Sequence, residues 1–256
     1  MRFHHQAIVD LLTKHGDVVR QSVATILGVK QVWMSAPEKA PCGGYGCVVY
    51  LTDLPWVLKL TGSQSEARFQ AWLSAMQYDG RRSDGFRVGF AIVPGVFEIA
   101  GHYGIVKERV QPLSDPRIKI LAEEQKIGRG KCNSDRDADE ALQSLSYAVD
   151  YGEIALEDGD RYSAILAKGA IREVAACFPE VAAGMTAVAK QGVAIWDVRS
   201  ENMGMRLFEP MPGLGTDYPI IVDPEPAVQG RRSEGKTSKR IGPAPRGLVS
   251  RKRSVA

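Results

Sequence analysis

Apolar and polar positions alternate along the chain in two rhythms, and the change between them divides it. Residues 4–28 carry Ile8, Leu11, Leu12, Val18, Val19, Val23, Ile26 and Leu27 at helical spacing, which predicts two helices broken at Gly16 and stopped at Gly28. From Gln31 the rhythm shortens to β-type runs, QVWMSA, CVVYLT and WVLKL, with Gly43, Gly44 and Gly46 in the first turn and Asp53 to Pro55 in the second. That pattern predicts an antiparallel meander. Residues 63–76, SQSEARFQAWLSAM, return to the helical period, with Phe69, Trp72, Leu73 and Met76 as the buried stripe. The runs FRVGFAIVPGVFEIAG and YGIVKERV are expected to complete a five-stranded sheet. Residues 112–137 are polar and broken by Pro and Gly, as in a linker with an exposed insertion. Two helical patterns follow at 137–156 and 161–192, the second bent or split at Pro179. The expected fold class is α+β. Its parts are a helical segment at 1–30, a sheet-based unit at 31–110, a mainly helical unit at 111–229 and a tail at 230–256.

Composition adds little to this picture, but charge distribution adds more. At 256 residues, 44% apolar and 25% charged, the chain is long enough for one large domain or two lobes. No apolar run reaches the length of a membrane span, and MRFHHQAIVDLL lacks the apolar core and small-residue cleavage site of a signal peptide, so a cytoplasmic protein is expected. The four cysteines, Cys42, Cys47, Cys132 and Cys177, show no Cys-x-x-Cys spacing and accompany no His cluster, which predicts reduced thiols and no zinc site. Of the 33 Lys and Arg and 30 Asp and Glu, residues 230–256 hold nine basic and one acidic, leaving 24 basic against 29 acidic in the first 229. The body is acidic and the tail basic. No aromatic residue interleaves the tail's Lys and Arg, which disfavours base stacking, although an acidic partner or nucleic acid suits its charge.

Candidate chemistry concentrates in VAIWDVRSENMG, residues 193–204, where Asp197 and Asn202 stand five apart on a polar segment after an apolar run. Asp-x-x-x-x-Asn is the spacing of a catalytic loop in which the Asp orients a hydroxyl and the Asn holds a metal ion. Downstream, IIVDP offers Asp223 at a strand end as a second metal ligand. Upstream, the glycines let backbone amides approach phosphate oxygens without a Cβ clash. Alternation in WVLKL puts Val57 and Lys59 on one face, and Glu66 stands in the first turn of the next helix as a partner for Lys59.

In this order the segments resemble the protein-kinase-like fold over roughly residues 31–226. The resemblance is in particular to its compact, divergent members, such as the aminoglycoside-phosphotransferase type and phage-encoded serine/threonine kinases. The resemblance implies a bilobal molecule with a five-stranded antiparallel N-lobe sheet and a truncated, mainly helical C-lobe, and it implies ATP and Mg²⁺ as cofactors. Carried over by position, Asp197 looks like the catalytic Asp and Arg199 like the residue touching the transferred phosphate. Asn202 and Asp223 look like the metal ligands, and Lys59 like the phosphate ligand paired with Glu66. Gly43, Gly46 and Val48 fit the Gly-rich loop, with Gly44 beside them and Pro41 in place of its first glycine. Glu108 to Val110 would be the hinge whose backbone receives adenine. Ile195-Trp196 replaces the usual His-Arg, which removes regulation through that Arg. Asp223-Pro224-Glu225 replaces Asp-Phe-Gly, and only 33 residues follow Asp223, few for a peptide-docking segment.

The implied activity is transfer of the ATP γ-phosphoryl to a hydroxyl, of a protein Ser or Thr or of a small molecule, in the host cytoplasm if the protein is phage-encoded. A pseudokinase or binding protein acting through its basic tail is the alternative from another class. GRRSEGKT, residues 230–237, satisfies the P-loop pattern Gly-x-x-x-x-Gly-Lys-Thr, but Pro224 and Pro226 stand just upstream and GPAPRG just downstream, so the strand and helix that a P-loop requires have no room. The same tail places Ser233, Thr237, Ser238 and Ser254 beside basic residues, acceptors held at high effective concentration near an acidic body.

Overall fold

A computed structural model describes residues 5–42, 46–80, 83–112, 179–191, 195–196 and 202–226. It is an α+β fold built on one antiparallel sheet. The first helix, α1 (His5–Leu27), runs unbroken through Gly16, where two helices were expected. Gly16 is buried along the same stripe as Ile8, Leu11, Val19 and Val23, so packing against the sheet carries the helix past a residue of poor intrinsic propensity. Gly28 does stop it. Its φ of +67° reverses the chain, with Val29 N–H donating to Ala24 O at 3.0 Å and Gly28 N–H to Thr25 O at 3.4 Å, the paired bonds of a Schellman end.

The sheet has the order β1-β2-β3-β5-β4. Strand β1 is short (Trp33–Met34), because a 3₁₀ turn at Pro37–Lys39 takes the chain out of the ladder. Strands β2 (Gly46–Thr52) and β3 (Trp56–Thr61) form the expected hairpin, and β4 (Gly95–Ile99) and β5 (His102–Glu108) form the next. Between the hairpins stand α2 (Gln64–Tyr78) and α3 (Ser83–Gly89). Ser63 caps α2 by accepting from Glu66 N–H at 3.3 Å. The FRVG stretch, expected in a strand, is the end of α3. Phe86 is buried against Phe69 and Leu73 of α2, which favours the helical arrangement of that stretch over extension of β4.

The C-terminal described residues contain α4 (Pro179–Lys190), which starts at Pro179 with the proline in its first position, where it costs nothing. The remaining strands are β6 (Gln111–Pro112), β7 (Ile195–Trp196), β8 (Met203–Arg206), β9 (Tyr218–Ile221) and β10 (Glu225–Pro226). They pair antiparallel as β6-β8-β9 and β10-β7. The expected helices of 137–156 and 161–178 lie outside the described residues, as do the insertion and the tail.

Two apolar clusters flank the sheet. One packs α1 onto Val49, Leu51, Leu58, Leu60 and Val106. The other joins Phe69, Leu73 and Phe86 to Ile105, Val181, Met203 and Ile221. Strand alternation explains the division, since Ile105 and Val106 are neighbours in β5 facing opposite clusters. Among the described residues, no helix is long and apolar enough to cross a membrane.

Candidate functional site

The face of β3 that carries Lys59 looks into the space between the sheet and the β8–β9 hairpin. Lys59 is opposite Val48 of β2 and Ile105 of β5, and Lys107 is opposite Val57, so Val48, Val57, Lys59, Ile105 and Lys107 share this face. Gly46, opposite Thr61, has to be a glycine here. A Cβ on it would stand 2.5 Å from the Leu60 carbonyl oxygen and 3.3 Å from Lys59 Cε.

Three elements converge on the Lys59 ammonium. It lies 2.5 Å from Glu66 Oε1, offered from the first turn of α2, and it donates to Asp223 Oδ2 in the loop after β9. Glu66 is fixed in turn by Thr61, whose hydroxyl donates to Oε2 at 2.8 Å. The other oxygen of Asp223, Oδ1, accepts from Lys107 Nζ at 3.0 Å, and the Lys107 ammonium also donates to the Val222 carbonyl. Lys59 and Lys107 are 12% and 3% exposed at the side chain and Asp223 is 33% exposed, so Asp223 is the most exposed member of the cluster.

The electrostatics follow from this crowding. Burial alone would lower the pKa of Lys59, but Asp223 and Glu66 outweigh it and the net shift is upward. For Lys107 burial wins and its pKa is lowered, in spite of Asp223. Burial would raise the Asp223 carboxyl, yet Lys107 and Lys59 together hold it well below the usual carboxylate range. Two ammoniums against two carboxylates leave the cluster neutral.

The backbone brings Asn202 next to Asp223. Met203 pairs with Ile221 in the β8–β9 ladder, and Val222 N–H donates to Asn202 O at 2.8 Å. An accessible carboxylate beside an Asn is a hard-oxygen donor set of the kind Mg²⁺ takes together with substrate phosphates. These donor types fit a Mg²⁺–phosphate ligand, which Asp223 and Asn202 would hold. Such an ion supplies charge neutralisation on the phosphate oxygens.

Of the residues singled out in the sequence, Gly46, Val48, Lys59, Glu66, Asn202 and Asp223 are thus brought to one place. Gly43, Gly44, Asp197 and Arg199 lie outside the described residues. The hinge candidates Glu108 to Val110 carry contacts of their own. Glu108 N–H donates to Ile92 O at 2.8 Å, and its carboxylate is spent on Arg206 of β8, with Nε to Oε1 at 2.8 Å and Nη2 to Oε2 at 2.9 Å. Val110 packs its side chain onto Gly204, where an added Cβ would meet it at 2.6 Å.

Lys107 was missed in the sequence, although its place two positions from Ile105 at the end of the apolar run in YGIVKE carried the signal. The thiol expectation is corrected at Cys42 and Cys47, which form a disulfide with Cα atoms 4.0 Å apart. The two stand directly opposite each other in an antiparallel bridge, a register that spacing of five does not announce. Cys132 and Cys177 lie outside the described residues. No family model, curated protein or solved structure matches this chain.

Proposed function

We propose that the protein is an ATP-dependent phosphotransferase of bilobal, protein-kinase-like design, with Ser or Thr of a protein as the acceptor. One observation carries this reading. Lys59 of the third strand meets both Glu66 of the following helix and Asp223, 164 residues further on, and this is the arrangement by which kinases hold phosphates and metal.

Each residue has a task. Lys59 places a fixed positive charge on the nucleotide phosphates, and Glu66, locked by Thr61, sets where that charge sits. Asp223 and Asn202 take the metal side. In the transfer, the bond from the γ-phosphorus to the bridging oxygen of ADP breaks as the bond to the acceptor hydroxyl oxygen forms. Asp197 takes the hydroxyl proton, and Arg199 stands by the transferred group. The protein's contribution is positioning and charge, without a covalent intermediate.

Incubation with ATP labelled at the γ-phosphate and Mg²⁺, alone and with a cell lysate, tests the reading. Label is expected on the protein's own tail or on a lysate protein, and Asp197→Asn is expected to reduce it by about a hundredfold or more. Near-normal turnover in a folded Asp197→Asn variant would remove that residue from the chemistry. Nucleotide binding without transfer in the unsubstituted chain would make the protein a nucleotide-binding scaffold.

A further inference from the structure

Phosphate binding through Lys59 leaves Lys107 unexplained. A lysine side chain 3% exposed is rare unless something holds its charge, and two oxygens hold this one. One is the Val222 carbonyl, on the segment that Asn202 fastens through the Val222 N–H. The other is Asp223 Oδ1 at 3.0 Å. Both lie on the same short loop, so the ammonium grips that loop at adjacent points and stays with it. Lys59 is held differently. It shares Asp223 Oδ2 but keeps Glu66 as a second partner, and it is the more exposed of the two. When phosphates engage Lys59, Oδ2 comes free while Oδ1 does not.

We propose that Lys107 is a metal-selectivity residue, a positioning group that withholds Oδ1 of Asp223 and leaves the carboxylate a single oxygen for a divalent cation. This rests on the reading of Lys59 and Asp223 as a phosphate–metal site. A one-oxygen carboxylate suits Mg²⁺, which demands compact octahedral coordination and is held by one or two carboxylates plus phosphate oxygens. Ca²⁺ gathers more oxygens at longer distances and readily takes a carboxylate through both. The Lys107 charge, hydrogen-bonded to the other oxygen of the same carboxylate, also weakens the site for any cation arriving without phosphates to offset it. Lys107 thereby ties metal binding to nucleotide binding and selects the smaller ion.

The test follows Mn²⁺ by electron paramagnetic resonance in the presence of the protein and adenylyl imidodiphosphate, then displaces it with Mg²⁺ or Ca²⁺. In the unsubstituted chain Mg²⁺ should displace at lower concentration than Ca²⁺, by a wider margin than for the nucleotide without protein. In Lys107→Met the margin should narrow by about tenfold, because Asp223 regains its second oxygen. Equal margins in the two proteins, with binding intact, would overturn the role of Lys107 and leave the nucleotide site standing. No protein-bound Mn²⁺ in the unsubstituted chain would overturn both. Should Lys107→Met not fold, the unsubstituted chain decides alone: a margin no wider than that of free nucleotide contradicts the proposal.

Discussion

Consecutive residues of β5, Lys107 and Glu108, enter two polar networks that differ in one respect. Glu108 and Arg206 are both wholly buried, and every group has a partner. The guanidinium donates to both Glu108 oxygens, to the carbonyls of Arg87 and Phe90, each at 3.0 Å, and to the Tyr218 hydroxyl, while Glu108 Oε2 also accepts from Ile92 N–H at 3.0 Å. The cluster around Asp223, with four charged groups to this network's two, keeps a partly exposed Asp223 side chain and a lysine shared between two carboxylates. A saturated network has no valence left for a ligand and serves to fasten β8 to the sheet. A partly exposed one can exchange partners when a ligand arrives. The difference separates architecture from site more sharply than charge content does.

The largest expected effect breaks the saturated side. Arg206→Met would leave Glu108 buried without its counter-charge, at a cost of about 3–5 kcal/mol in unfolding free energy measured by urea titration. Adding Glu108→Leu to it should recover most of that loss, since paired burial of charge is seldom better than an apolar replacement. A loss under about 1 kcal/mol for Arg206→Met would mean the pair is not the fastener described here.

A smaller effect belongs to Asp223. Its carboxyl is depressed below the ordinary range, so its contribution to stability is complete above the unfolded value of about pH 4 and is lost as pH falls below it. Lys59 is the mirror case: its raised pKa gives a contribution complete below about pH 10.4 and lost as pH rises further. Denaturation curves across the acid range should show a steeper decline below about pH 4 in the unsubstituted chain than in Asp223→Asn. Parallel curves would mean that the two lysines do not hold that carboxylate in solution.

The smallest effect sharpens the comparison from a third place. Gln70, one turn beyond Glu66 on α2, is wholly buried, and among the described residues neither its amide nitrogen nor its oxygen has a hydrogen-bond partner. Gln70→Leu should therefore stabilise the fold by about 1 kcal/mol, because nothing is broken and a desolvated amide is removed. Destabilisation of that size would show that the amide is satisfied in solution.

Much of the site was legible because it rests on short-range rules. Alternation fixes the face of Lys59, and a helix start after Ser63 fixes Glu66 in the first turn. Asp223 follows from an apolar run ending at a polar residue. What stayed illegible depends on register between distant strands. Nothing local says that Lys107 stands opposite Val57 while Glu108 meets Arg206, 98 residues away, or that Cys42 faces Cys47. The FRVG end of the Ser83–Gly89 helix reads as strand because a short apolar run fits either period, and its packing on α2 decides between them. Gly16 misled in the opposite sense, since tertiary burial outweighed its propensity.

The central claim is that the Asp223 cluster, and not the neighbouring Arg206 pair, is built for a metal–nucleotide ligand. Calorimetric titration of adenylyl imidodiphosphate into the unsubstituted chain and into Asp223→Asn, each with and without Mg²⁺, tests it most directly. Mg²⁺ should tighten binding to the unsubstituted chain by at least about tenfold, and that increment should vanish in a folded Asp223→Asn variant. An equal Mg²⁺ increment in both proteins, or no nucleotide binding to either, would contradict the account.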